Sequence, residues 1–116
     1  MEIREVMTES VVTATPDAPV RHVAELMRER NVGSVELVDD SGLPAGFITD
    51  RDLAVSVLAD GHDHDSPAGG HASTPVVVGE PGMDVTEATK LMVDNGIRRL
   101  PIVDGDRLMG IVTLDD

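Results

Sequence analysis

The chain carries the same pattern twice, and each copy closes on Gly-x-x-Thr-x-x-Asp. The first reads Gly46-Phe47-Ile48-Thr49-Asp50-Arg51-Asp52 and the second Gly110-Ile111-Val112-Thr113-Leu114-Asp115-Asp116. At an offset of 65, which is Leu91 minus Leu26, Val76 falls on Val11, Pro81 on Pro16, Val85 on Val20 and Leu91-Met92 on Leu26-Met27. Ile97 likewise falls on Val32, and Ile102-Val103-Asp104 on Leu37-Val38-Asp39. One residue fewer in the following hairpin changes the offset to 64 (Gly110 minus Gly46), at which the closing motifs align. Whatever one copy folds into, the other must therefore fold into as well. In 116 residues each copy spans roughly 50, too few to bury enough surface alone, so the copies should share a module.

The order of elements follows from periodicity and punctuation. Val11 to Thr15 is short and rich in β-branched residues, and Pro16-Asp17-Ala18-Pro19 stops it and prepares a helix start. Val20, Val23, Ala24, Leu26 and Met27 then recur at helical spacing, to an end near Asn31-Val32-Gly33. Ser34 to Val38 and Ala45 to Thr49 predict two strands around the turn-rich Asp39-Asp40-Ser41-Gly42, and Asp50 to Ala59 predicts a second helix. The second copy predicts a strand at Val76 to Val78, a helix from about Asp84 to Asp94, and strands at Arg99 to Val103 and Leu108 to Thr113. The sequence stops at Asp116, where a closing helix would begin, so an apolar patch should be left for something else to cover; a trimmed chain or a missing downstream segment is the expectation. The domain reading is repeat 1 over residues 1–60, a linker over 61–73 without periodicity, and a truncated repeat 2 over 74–116.

Charge narrows the partners. Twenty-two acidic residues face nine basic ones, for a net charge of -13, and Lys90 is the one lysine. A chain so acidic repels nucleic acid and anionic membranes, and no apolar run approaches the ~20 residues that cross a bilayer. The expected location is the cytoplasm. Arginine in place of lysine on an acidic chain also fits a cell of high internal salt, where carboxylate repulsion is screened within ~3 Å. With no cysteine there is no disulfide and no thiolate chemistry. No nucleophile and base pair and no metal cage is visible, which argues against an enzyme.

A β-α-β-β-α unit in tandem, each copy closed by Gly-x-x-Thr-x-x-Asp, resembles the cystathionine-β-synthase (CBS) domain pair, or Bateman module, over almost the whole chain from Val6-Met7-Thr8 onward. The resemblance implies an α+β fold in which two repeats pack about a pseudo-two-fold axis and leave clefts for adenosine nucleotides, and it implies a homodimer. It also implies that the motif Asp, here Asp52 and Asp116, binds ribose hydroxyls, and that the motif Thr, here Thr49 and Thr113, lies near phosphate. The chemistry suits those roles: a carboxylate accepts both hydroxyls of a vicinal diol, and a Thr hydroxyl with the first amides of the next helix suits a phosphate. Thr followed three residues later by an acid is equally a helix-capping pattern. Arg98-Arg99 resembles the basic pair that contacts phosphates in the γ subunit of AMP-activated protein kinase; ion pairing with neighbouring acids is the alternative. Copy one has Gly33-Ser34 there, so the two sites should differ.

The function expected is a regulatory module that senses AMP, ADP or ATP, requires no cofactor, and answers to an effector protein the sequence does not name. The alternatives are a ligand-free dimerisation or docking scaffold, or a module for S-adenosylmethionine or divalent metal. His62, His64 and His71 stand with Asp63 and Asp65 in the linker and could hold zinc or nickel, but no regular spacing fixes them, and a solvated acidic loop is the expectation. Met7, Met27, Met83, Met92 and Met109 fall at apolar positions as core filler.

Overall fold

The computed structural model describes residues 1–73 and 77–114. In chain order the elements are β1 (Thr13–Ala14), α1 (Val20–Arg30), β2 (Ser34–Val38), β3 (Pro44–Thr49), α2 (Asp50–Asp52), α3 (Val85–Asn95), β4 (Arg99–Asp104) and β5 (Arg107–Thr113). Short 3-10 turns occupy Ile3–Glu5 and Ala68–His71, and α2 runs on into a π-helix at Leu53–Ala59. This is the α+β architecture in two repeats that the sequence predicts. None of the described helices is long and apolar enough to cross a membrane.

The two helices that open the repeats end by the same device. Helix α1 buries Val20, Val23 and Met27 and stops at Asn31, whose φ of 54° is the left-handed conformation that ends a helix. Helix α3 buries Ala88 and Met92 and stops at Gly96, with φ 64°. The strands then form hairpins with the same irregularity, a register shift after Leu37 in β2 and after Ile102 in β4. Strand β2 is flanked by β3 and, in parallel, by β1. The one-residue difference between copies lies in the turns: Asp39 Oδ1 accepts Ser41 N–H at 2.9 Å and Leu43 N–H at 3.0 Å, whereas β4 and β5 pair directly up to Asp104 and Arg107.

Three elements differ from expectation. The first strand is confined to Thr13–Ala14, where Ala14 pairs with Leu37. Of its counterpart, Val76 lies outside the described residues, and the pairing of the second copy is a single parallel bridge from Gly79 to Ile102. A methyl at Gly79 would lie 2.9 Å from Leu100 Cδ2, so close contact with the core selects glycine. The predicted second helix has the right span but widens after Asp52, with Asp60 N–H bonded to Val55 O at 3.2 Å and His62 N–H to Val57 O at 2.9 Å. These i to i+5 bonds mark the π-helix, whose Leu53 and Val57 pack on the core while Val55 and Leu58 remain exposed.

The chain divides into two compact units, Met1–Val11 with Val77–Asp116, and Val12–Val76. The core of the second comprises Val20, Val23, Met27, Val35, Leu37, Ile48 and Ala68; the core of the first comprises Ile3, Ala88, Met92, Leu100 and Ile102. Ile3 and Ala68 are equivalent by the repeat, since 68 minus 3 is 65, and each is buried in the body of the other copy. The exchange extends along both lead-ins: Thr8 bridges to Ile111 in β5, and its equivalent Ser73 bridges to Phe47 in β3. The segment read as a linker is therefore fastened by backbone hydrogen bonds, among them Val20 N–H to Ser66 O at 2.9 Å, Ala68 N–H to Ala18 O at 2.8 Å and Gly69 N–H to Pro16 O at 2.8 Å.

Candidate functional site

Thr49 ends β3 and caps the helix that follows. Its Oγ1 accepts Asp52 N–H at 3.1 Å, and Asp52 Oδ2 accepts Thr49 N–H at 2.8 Å, a reciprocal capping box with both residues half-buried. The amides expected to be open to a phosphate are engaged here. Asp50 N–H bonds Gly33 O at 3.0 Å, Arg51 N–H bonds Asp50 Oδ1 at 2.8 Å, and Asp52 N–H is the one held by Thr49. Asp50 is the residue that sequence reasoning passed over. Its signal was the substitution of Leu114 at the same position of the second copy.

In the second copy Arg99 opens β4 directly across from Thr113, as Ser34 stands across from Thr49 in the first. Arg98 Nη2 donates to Leu114 O at 3.2 Å, and Leu114 N–H bonds Arg98 O at 2.9 Å. Arg98, Arg99 and Thr113 thus lie at the same end of the β4–β5 hairpin, with Arg99 half-buried and the other two exposed. Asp116 lies outside the described residues.

A cavity of about 280 Å³ lies in the unit containing α3, lined by Ile3, Val6, Val85, Ala88, Met92, Val112 and Leu114, with Thr113 among its lining residues. The equivalent surface of the first repeat, built on Val20, Val23, Met27 and Ile48, is packed by Leu53 and Val57. The histidine segment is more ordered than a solvated loop. Half-buried His71 meets Ser56 Oγ at 2.6 Å through Nδ1 and Ser66 Oγ at 3.0 Å through Nε2, and its ring lies edge-on to His62 at 5.0 Å. Ser66 Oγ gives its proton to Asp63 O at 2.7 Å, which leaves it to accept from His71 Nε2–H. Asp63, His64 and Asp65 bring one potential metal ligand each within 4.8 Å of one another, all three exposed.

A tandem of small α+β repeats closed by paired motifs is the construction of a CBS module. The CBS domain profile matches residues 3–59 and 69–116, and the chain belongs to the CBS domain family. It is 40% identical over 114 residues to the CBS domain-containing protein YhcV of Bacillus subtilis, covering 98% of this chain and 81% of that protein. It is 44% identical over 118 residues to the uncharacterized protein MK0525 of Methanopyrus kandleri, of which it spans 60%. Among solved structures, Hypoxic Response Protein I with two coordinated zinc ions superposes with a TM-score of 0.86 at 28% identity, over 97% of this chain and 92% of that one. The fold is shared with PAE2072 from Pyrobaculum aerophilum complexed with AMP, at TM-score 0.84, 23% identity and coverage of 98% and 88%. It is shared too with the CBS domain pair of MJ0100 in complex with 5′-methylthioadenosine and S-adenosyl-L-methionine, at TM-score 0.83, 21% identity and coverage of 97% and 89%.

Proposed function

We propose that this chain is a non-enzymatic regulatory module that binds adenosine derivatives at the closing motifs of its repeats, with AMP, ADP and ATP as the leading ligands. The observation that carries the reading is the placement of Arg98, Arg99 and Thr113 at one hairpin end, in a chain of net charge -13. Guanidiniums suit a phosphate, because the planar fork matches phosphate oxygens, and a nearby hydroxyl adds a donor. Asp116 supplies the ribose carboxylate of that site and Asp52 that of the first repeat. The AMP and S-adenosylmethionine complexes of proteins sharing the fold support the ligand class. The module acts in the cytoplasm as a homodimer and signals to a partner protein.

The capping box favours a second reading, a dimerisation or docking scaffold without ligand, since Thr49 and Asp52 already satisfy each other. Titration calorimetry on the variant with Arg98 and Arg99 both changed to Ala separates the two. Nucleotide binding predicts that ATP affinity falls at least tenfold, about 1.4 kcal/mol, while adenosine affinity changes little. Equal loss for both ligands would contradict the phosphate contact, and no binding of either to the unaltered protein would favour the scaffold.

A further inference from the structure

The two closing motifs differ in charge at one position. In the first copy Asp50 follows the motif Thr, where the second has Leu114. Asp50 Oδ2 lies so near Gly33 that a methyl placed there would be 3.2 Å from it, and Gly33 is the counterpart of Arg98. Beside the backbone position that bears Arg98 in the second repeat, the first therefore holds a carboxylate, with Asp52 two residues on and Arg51 alone between them. The first three amides of the following helix are already engaged, by Gly33 O, Asp50 Oδ1 and Thr49 Oγ1. A phosphate arriving at this motif meets two carboxylates and no open first-turn amide, and like charges at such range repel.

We propose that Asp50 is a specificity-determining residue that excludes phosphate from the first repeat, whose motif takes an adenosine derivative with an uncharged or cationic 5′ group. Phosphorylated ligands go to the second repeat. The inference rests on the adenosine-binding reading above and assigns different ligands to its two sites.

Amide chemical shifts read the repeats separately, with Gly33 and Thr49 reporting on the first and Arg99 and Thr113 on the second. Adenosine should shift both sets in the unaltered protein, and ATP at the same concentration only the second. Asp50→Asn removes the charge but keeps an oxygen to accept Arg51 N–H, so it should let ATP shift Gly33 and Thr49 with an affinity at least tenfold higher. ATP binding the first repeat of the unaltered protein as tightly as adenosine does, or an Asp50→Asn affinity for ATP within twofold of the original, would overturn the assignment. Both ligands confined to the second repeat in both proteins would overturn it while leaving nucleotide binding intact. No shift with either ligand in either protein would remove nucleotide binding and this inference together.

Discussion

Thr49 and Asp52 cap a helix and are proposed to hold ligand as well, and only a substitution that separates charge from hydrogen bonding divides the two duties. Thr49→Ala removes one half of the capping box and should cost about 1 kcal/mol of stability, seen as a lowered melting temperature. Asp52→Asn keeps an oxygen to accept Thr49 N–H but loses the charge that strengthens a ribose contact. It should melt close to the unaltered protein while losing about tenfold in adenosine affinity, a contribution of ~1.4 kcal/mol. Unchanged affinity in calorimetry would reduce Asp52 to a cap. The motif residues were visible in the sequence because two copies in register expose them, and the arginine pair because adjacent arginines stand out in a chain of net charge -13. Asp50 was not, because its effect depends on backbone geometry: which amides it and its neighbours occupy, and how near its carboxylate lies to Gly33.

Elements with side-chain periodicity were legible, and those held by backbone bonds alone were not. Helices α1 and α3 and strand β2 fall within a residue of expectation, because apolar spacing and an αL stop define them. The Asp60 to Ser73 segment has no periodicity, and its attachment through Ser66, Ala68 and Gly69 amides and carbonyls leaves no mark on residue type. The π-helix was hidden for a related reason, since Leu53 and Val57 satisfy an α spacing as well as the wider turn. At the start of α3, Asp84 accepts Thr86 N–H at 3.0 Å, and Met1 N lies 3.3 Å from Asp84 Oδ1. The bond from the Thr86 amide first, then the Thr86 side chain and the N-terminal ammonium, hold its pKa below the ordinary 3.8. A depressed carboxylate adds stability above its unfolded pKa and loses it as pH falls through the folded one. Asp84→Asn keeps a capping oxygen without the charge, so it should melt slightly lower than the unaltered protein at pH 7, with the gap closing below about pH 3.8. A gap constant across that range would show that charge is not what Asp84 contributes.

For the whole molecule, the duplicated sequence does not fold as two self-contained copies. Each compact unit joins the body of one repeat to the lead-in of the other, as the buried equivalents Ile3 and Ala68 record. The net charge of -13 acts at the same scale. The ion pairs Arg21 to Asp65 and Lys90 to Asp94 are exposed, and pairs of that kind contribute little. Screening of the unpaired carboxylates is therefore the larger effect, and the melting temperature should rise between low salt and ~2 M KCl when followed by circular dichroism. A flat or falling curve would count against adaptation to salt. Binding of an adenine nucleotide is simple to measure directly on a chain of this composition. With no Trp, no Tyr and one Phe, the protein has almost no near-ultraviolet absorbance of its own, so a band near 260 nm reports a bound base. After dialysis against ATP and removal of free ligand, the account predicts such a band at a stoichiometry near one nucleotide per chain, released by heat as an intact adenine nucleotide. No band with ATP, ADP or AMP at millimolar concentration, and no heat of binding with any of them in calorimetry, would contradict it.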